Sequence, residues 1–483
     1  MSRPRGEDIA SGRNASSTTE RSVWSVTAAT FVLRFATGLT GALLIFLLAD
    51  YSDYGGTEVG ALAIGVLTAL FYAAELLLSP LFGVLSDRKG HHRIMQVGPM
   101  FGLVAVVLTA LAAEIGVGSA VLAVPVLVGS LPLLGLTRLL EGASTAASVP
   151  SVLGYVAVVT SGDEALRGRA SARFEAATIA GLAVGFAAAG PVWALFGPVG
   201  FLVNGLVYAL AYALFRWYVP EESSTTPGAP PVPVGLKRYR RLLRKSRVWL
   251  LAPTWIALNA GLGLYTSQTL FQLVRTPDPR FADQALVGGF GPLLVTAAFL
   301  AGGAVFFVGL VYWGGRFTTM RRTTMIFYGI VGGAIFVVAA LALNHSAGVP
   351  AFLRLTTVVG LAIGLFLIAG ATPAALGLLA DMSESFPADR GAIMGLYSVF
   401  LGLGQIIGAL IGAVAAEQAA FDGILMASLM LQVVALMPLA RLRRFEFAFQ
   451  ASPASAPDPD AVAIDLSVTR AYQFEGEEER TDG

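Results

Sequence analysis

The segment GVLSDRKGHHR, residues 83–93, is a short charged stretch between two long apolar ones. Its apolar neighbours, residues 60–82 and 94–113, each reach the roughly 20 residues that an α-helix needs to cross a bilayer. A charged turn between two such segments indicates a pair of membrane helices joined by a loop in water. The segment therefore points to a helical membrane protein and marks one side of its membrane.

Ten other apolar segments extend this pattern along the chain. With the first two, they give the set 23–48, 60–82, 94–113, 131–160, 172–195, 200–218, 248–271, 286–312, 324–343, 351–380, 392–415 and 424–440. Long apolar stretches separated by short polar turns are typical of helices and not of barrel strands. We therefore predict an all-α integral membrane protein with 12 transmembrane helices, and we assign the apolar residues 115–130 to extensions of the third and fourth helices.

The composition excludes several classes of protein. Hydrophobic residues make up 55% of the 483 residues and charged residues 13%, about half of the roughly 25% found in soluble domains. The formal net charge of +1 provides no basic field for nucleic acid. The chain has no cysteine, and its three histidines lack the spacing of a metal site. We expect no metal, no cofactor and no enzymatic activity.

The lysines and arginines predict the orientation. Most of these 32 residues fall in the two tails and in the loops on one side of the predicted helices. Basic residues concentrate in cytoplasmic loops, so we expect both termini in the cytoplasm. The first 22 residues are polar and the first apolar segment is long, which argues against a cleavable signal peptide. We expect a multi-pass protein of the plasma (inner) membrane, a monomer surrounded by the lipid bilayer.

The longest polar interruption divides the chain into two parts. We predict a cytoplasmic N-terminal tail at 1–22, a six-helix bundle at 23–219, a cytoplasmic linker at 220–247, a second six-helix bundle at 248–443 and a disordered acidic cytoplasmic tail at 444–483. The linker ends in a basic segment that can form an amphipathic helix on the membrane surface.

The two predicted bundles share a spaced pattern. An Arg-Gly pair is followed, after twelve residues, by two glycines four residues apart; the copies are Arg167, Gly168, Gly181 and Gly185, then Arg390, Gly391, Gly404 and Gly408. Glycines at this spacing allow helices to pack closely and to bend. We therefore expect two pseudo-symmetric bundles with a cavity between them at the middle of the membrane.

Residues 83–93 resemble the loop signature of the major facilitator superfamily, G-x-L-x-D-R-x-G followed by basic residues. Arg138 and Gly142 resemble the arginine and glycine of that superfamily's fourth-helix motif. The resemblance spans residues 23–440 and implies a transporter that opens its cavity alternately to each side. It also implies a cytoplasmic gate that docks near Arg390 at the start of the eleventh helix; its residues here are Gly83, Asp87, Arg88, Gly90 and Arg93.

The direction of transport is indicated by one further motif. Gly190 and Pro191 match the end of the fifth-helix signature of exporters, although Phe186 replaces its first glycine and Gly185 lies one position away. This partial match favours export by an antiporter.

Four charged residues lie inside predicted membrane helices. Arg34 and Glu75 occur in the first and second, and Arg138 and Glu141 are three residues apart on one face of the fourth. A charge at such depth is costly unless it is paired or faces water. One interpretation is a relay in which Glu75 carries a proton and an arginine holds an anionic group. The alternative is that these are buried ion pairs that only stabilise the fold.

Side-chain amides form the remaining candidates for a substrate or proton pathway. They are Asn204, Asn259, Gln268 and Gln405, each within a predicted membrane helix, and Tyr265 is a further polar position of the same kind. Amides in membrane helices also hydrogen-bond to neighbouring helices, which is the alternative role for each of them. His91 and His92 are expected in solvent.

No ATP-binding loop occurs in the sequence, so uphill transport would need an ion gradient. We predict a secondary active transporter of a small organic molecule, coupled to protons and acting in drug or metabolite efflux. One alternative is an importer or facilitator of an anionic metabolite or sugar. An alternative of another class is a membrane scaffold or lipid-handling protein without transport activity.

Overall fold

The computed structural model describes residues 7–54, 58–115, 131–161, 163–221, 248–316, 319–384 and 390–450. Across these ranges the regular secondary structure is entirely helical. The α-helices are α1 Glu7–Ala49, α2 Ala61–Lys89, α3 His91–Met95, α4 Val97–Ile115, α5 Leu131–Val159, α6 Glu164–Phe196, α7 Gly200–Ala213, α8 Ala252–Val274, α9 Pro292–Gly314, α10 Arg322–Asn344, α11 Ala351–Ile368, α12 Ala371–Glu384 and α13 Arg390–Gln450.

A sharp break divides α13 into two arms. Ala419 and Ala420 have non-helical backbone angles, and Ala420 has a φ of 46°. A positive φ is costly for a residue with a Cβ, so the packing around this turn must hold it in place. We call the arms α13a (390–418) and α13b (421–450).

Nine helical stretches in the described ranges are long and apolar enough to cross a membrane. Two of them, 169–218 and 399–445, contain 50 and 47 residues, about twice the length of one crossing. Helix α8 is not among the nine because it carries a run of polar residues, among them Thr266, Ser267 and Gln268. The all-α prediction is confirmed at this level, and the count of 12 stays a prediction.

Two predicted segments differ in detail from the helices. The segment 286–312 becomes helical only at Pro292, because Gly288 and Gly289 adopt φ values of 80° and 79° that shape a loop before it. The segment 351–380 is interrupted at 369–370, between α11 and α12. Most of the predicted linker, 222–247, the apolar residues 116–130 and the tail from 451 lie outside the described residues.

The repeated glycines occupy equivalent packing positions in the two parts of the chain. In α6, a Cβ on Gly185 would overlap the carbonyl oxygen of Phe35 in α1. In α13a, a Cβ on Gly408 would overlap the carbonyl oxygen of Ala260 in α8. Backbones can approach this closely only where no side chain intervenes. The spaced pattern therefore marks the same kind of helix–helix contact twice.

The loop between α8 and α9 is organised around Asp278. Its carboxylate accepts hydrogen bonds from the side chain and backbone N–H of Arg280 and from Arg275 Nη2, at 2.7–3.2 Å. The bonds from Arg280 are the main cause that lowers the pKa of Asp278 to about 2. Because the pKa of Asp278 is lowered in the folded protein, its ionised carboxylate stabilises the fold at neutral pH. That stabilisation is lost as the pH falls from about 4 through about 2.

We expect Asp278→Asn to open this loop at neutral pH. The neutral amide cannot accept the same set of hydrogen bonds from Arg275 and Arg280, so amide hydrogen exchange in 275–291 should accelerate about two- to fivefold. Hydrogen-exchange mass spectrometry measures this, with Asp53→Asn in an exposed turn as the matched control. Equal exchange in the variant and the parent protein at pH 7 would contradict the prediction.

Candidate functional site

A cavity of about 700 Å³ lies between helices of the first half of the chain (7–221) and helices of the second half (248–450). This volume is in the range of pockets that hold drug-sized molecules. Helices α1, α2, α5 and α6 form one wall, and α8 to α12 with α13b form the other. The lining residues with polar side-chain atoms are Thr37, Thr68, Tyr72, Arg138, Glu141, Trp255, Asn259, Tyr265, Thr266, Thr269, Thr372, Ser428 and Gln432.

The rest of the lining is mainly aliphatic and aromatic. Phe186 of α6 and Phe299 of α9 meet edge to face across the two halves, with ring centroids 5.0 Å apart. Tyr265 and Phe336 make a similar contact in the second half, at 5.6 Å. Aromatic faces of this kind offer a large apolar surface to a ligand.

Arg138 and Glu141 line the cavity as an ion pair on one face of α5. Both side chains are buried, with 8% and 1% of their surface exposed. The guanidinium of Arg138 also lies 5.9 Å from the ring centroid of Phe71 in α2. Gly142 makes this possible, because a Cβ there would overlap the backbone of α2 and push the helices apart. Gly142 thus lets α5 approach α2 closely, and this approach places the ion pair of Arg138 and Glu141 beside α2.

Arg34 lies just outside the cavity lining. It is 7% exposed, and its Nη1 donates a hydrogen bond to Thr145 Oγ1 at 3.3 Å. Arg34 precedes the lining residue Thr37 by three positions, so it continues the same face of α1 by one turn.

Glu75 extends the lining face of α2 in the same direction. It follows Phe71 and Tyr72, both lining residues, by four and three positions. Its side chain is partly buried. Arg34 and Glu75 therefore lie at the same end of the cavity, the end nearer the 83–93 loop. The structure brings only the other predicted pair, Arg138 and Glu141, into the lining itself.

Three of these amides occupy different positions. Asn259 lines the cavity and donates to Trp255 O of its own helix at 2.8 Å. Asn204 is buried behind α1, where it donates to Ala36 O and Thr40 Oγ1 at 2.9 and 2.7 Å. Gln405 joins α13a to α8 by accepting a hydrogen bond from Thr266 at 3.3 Å. Asn204 and Gln405 are outside the lining and connect helices.

Two lining residues of α13b were not singled out from the sequence. Gln432 donates to Ser428 Oγ at 3.2 Å, one turn away on the same face. A glutamine within the apolar segment 424–440 was the available signal, since a polar side chain inside a membrane helix usually has a partner or a function.

The two halves meet closely at the end of the cavity opposite the 83–93 loop. Gly65 of α2 packs against Ala413 of α13a so tightly that a Cβ would overlap it. Close by, Gln268 donates to Ala61 O at 3.1 Å, and the Glu417 carboxylate accepts a hydrogen bond from Leu62 N at 3.4 Å. A carboxylate at a helix N-terminus is favourable, so this contact helps to hold α2 and α13a together at this end of the cavity.

The predicted gate residues surround the turn from α2 to α3. Gly90 has a φ of 94°, which ends α2, and its N–H donates to Ser86 O at 2.9 Å. Asp87, Arg88 and Arg93 are exposed, and a Cβ on Gly83 would lie 3.8 Å from Pro150 Cβ in α5. The expected docking partner near Arg390 lies among side chains outside the described residues, so docking stays a prediction.

The expectation that His92 is in solvent is wrong. This side chain is 3% exposed, and its Nε2 is 2.9 Å from Phe215 O. The contact connects the loop to the helical turn at 214–218, which follows α7. His91 is partly buried near Asp87, with 3.8 Å between Nε2 and Oδ1. The polar residues around His92 in the sequence do not reveal this burial, because the burial arises from contact with a distant segment of the chain.

Across the residues that the structure describes, no group of three potential ligands could hold a metal ion.

Comparisons with known proteins agree with this architecture. The sequence model of a family described as Major Facilitator Superfamily matches residues 26–290. No curated protein sequence matches the chain significantly.

Solved structures of transporters have a similar fold. The nucleoside transporter NupG is 14% identical, with 89% of this chain and 98% of that chain covered and a TM-score of 0.60. A D-xylose-proton symporter is 16% identical, with 86% and 97% covered and a TM-score of 0.60. At these identities the likeness concerns the fold alone.

Proposed function

Since this chain belongs to the Major Facilitator Superfamily and is a multi-pass membrane protein, we propose that it is a secondary active transporter of a small organic molecule. The observation that carries the proposal is the 700 Å³ cavity, which has walls from both halves of the chain and an ion pair in its lining. A cavity between two halves is the site that alternating access requires.

The proposed layout is 12 membrane helices in two six-helix bundles, with both termini in the cytoplasm of a plasma-membrane protein. The equivalent packing of Gly185 and Gly408 supports the pseudo-symmetry. If the 83–93 loop is cytoplasmic, the α2–α13a contacts close the outer end of the cavity, and the conformation is the one that opens inward. Because residues 83–93 resemble the superfamily's cytoplasmic gate, we place this loop at the end of the cavity that opens and closes.

We propose that transport is coupled to protons and that Glu75 is the carrier. Its position one turn from the cavity lining, at the same end as Arg34, supports this role, since protonation of Glu75 would change the charge balance beside the cavity. Export is the proposed direction, and it rests on the partial Gly190–Pro191 motif.

Accessibility of one cavity position from both compartments tests the proposal directly. The chain contains no cysteine, so single-cysteine variants need no altered background. In proteoliposomes, we expect Thr37→Cys to react with a membrane-impermeant maleimide added from either side, because Thr37 lines the cavity. Thr40→Cys, on the same helix but fully buried against Asn204, is the matched control and should react from neither side.

Labelling of Thr37→Cys from one compartment only would refute alternating access. It would favour the scaffold or lipid-handling alternative. Coupling is tested separately: in liposomes that contain a pH-sensitive dye, Glu75→Gln should abolish substrate-driven proton movement, while Glu58→Gln at an exposed position should not. Unchanged proton movement in Glu75→Gln would remove it as the carrier.

A further inference from the structure

The wall of the cavity formed by the second half contains an unsatisfied amide. Gln432 uses its Nε2 to donate to Ser428 Oγ at 3.2 Å. Its Oε1 is buried and has no hydrogen-bond partner in the described part of the chain. The hydroxyl of Thr269, on α8 in the same wall, is also buried without a partner in the described part of the chain. Buried polar atoms are usually paired, so these two atoms are candidates for contact with a ligand.

The amide of Gln432 occupies space that a side chain at position 333 would fill, and Gly333 leaves this space free. A Cβ at position 333 would lie 2.7 Å from Gln432 Nε2, so any larger residue on α10 would displace the amide from its place. Gly333 and Gln432 both line the cavity. The position of the amide is therefore set by α10 and α13b together.

Aromatic side chains surround this polar spot. Tyr265 and Phe336 stand edge to face beside it, at an interplanar angle of 85°. Trp255 of the second half and Phe71 of the first half also line the cavity. Such walls favour a flat ring system, because aromatic rings bury large apolar areas and prefer edge or offset contacts.

The charges of the lining cancel each other. Arg138 and Glu141 are the charged residues among the described side chains of the cavity, and they are paired with each other. An ionic ligand would have to separate them and leave a buried charge uncompensated, which is costly. The rest of the lining is mainly aliphatic and aromatic, so a ligand with a large apolar surface fits it better than a polyhydroxylated one.

We propose that the cavity binds a neutral aromatic compound and that the amide of Gln432 accepts a hydrogen bond from a hydroxyl or N–H group at one end of it. This inference rests on the proposed transport function for its biological meaning, but it concerns binding alone. It assigns Gln432 as a specificity residue, with Tyr265 and Phe336 as the aromatic surface.

A matched pair of probes separates the hydrogen bond from the apolar contact. 1-Naphthol and 1-methylnaphthalene have almost the same shape, and only the first can donate to Gln432. Binding is measured by equilibrium dialysis with the full chain in lipid nanodiscs, and empty nanodiscs correct for partition into lipid. We expect the parent protein to prefer 1-naphthol about fivefold, the value of one uncharged hydrogen bond.

Gln432→Leu should remove this preference and retain the affinity for 1-methylnaphthalene. Gln418→Leu, an exposed glutamine on α13a outside the lining, should keep it. Equal affinities of the parent protein for the two probes, or equal weakening of both by Gln432→Leu, would overturn the assignment. Displacement of 1-naphthol by D-xylose at comparable concentration would overturn the ligand class.

The outcome is distinguishable from a failure of the proposed function. If the 1-naphthol preference depends on Gln432 but Thr37→Cys is labelled from one side only, the ligand site stands and transport does not. If labelling occurs from both sides and the preference is absent, transport stands and this inference fails.

Discussion

Glu141→Gln is expected to destabilise the protein by about 3–5 kcal/mol and to abolish transport. The glutamine keeps the shape of the side chain but removes the charge that neutralises Arg138, which is 8% exposed. Breaking one partner of a buried ion pair leaves an uncompensated charge, and this is the cause of the large loss. The midpoint of thermal unfolding in detergent measures the first effect, and flux in proteoliposomes measures the second.

A double variant separates the structural role of this pair from its functional role. Arg138→Met combined with Glu141→Leu removes both charges and keeps similar volumes, so stability should return to near that of the parent protein. If the pair takes part in transport, flux stays absent in the double variant. Recovery of both stability and flux would show that the pair only stabilises the fold. Glu58→Gln, at an exposed position, controls for the loss of one carboxylate.

The positions of the helices followed from the sequence because a bilayer imposes a length on each apolar segment. The segment 23–48, for example, lies within α1. The end of a segment was harder to predict where apolar residues continue into a loop. Residues 286–291 are such a case, since two glycines with positive φ turn the chain there before α9 begins.

The site could be predicted only in part because orientation about a helix axis depends on tertiary packing. Arg138 and Glu141 were recognisable as a pair, since residues three apart share a helix face. Arg34 was recognisable by its depth, but its hydrogen bond to Thr145 joins residues 111 positions apart and could not be predicted. Gln432 resembles Asn204 and Gln405 in sequence context, and only the fold distinguishes a lining amide from one that bridges helices.

Gly408→Ala and Gly185→Ala are each expected to destabilise the protein by about 1–3 kcal/mol, the usual cost of overpacking a tight contact. The new methyl group would overlap a backbone carbonyl, that of Ala260 in the first variant and that of Phe35 in the second. A backbone atom cannot move aside as a flexible side chain can, so the whole helix must shift. The two contacts lie in different parts of the chain, and the losses should therefore add in the double variant.

Gly303→Ala is the matched control, because a Cβ at this position on α9 would have nothing within 4 Å. Alanine favours helix by up to about 1 kcal/mol over glycine, so this variant should be as stable as the parent protein or slightly more stable. Thermal unfolding of the purified variants in one detergent compares all four. If Gly408→Ala and Gly185→Ala were as stable as Gly303→Ala, α6 and α13a would be able to adjust freely against α1 and α8. The spaced glycines would then contribute no close packing, and the equivalence of the two halves would lose its structural support.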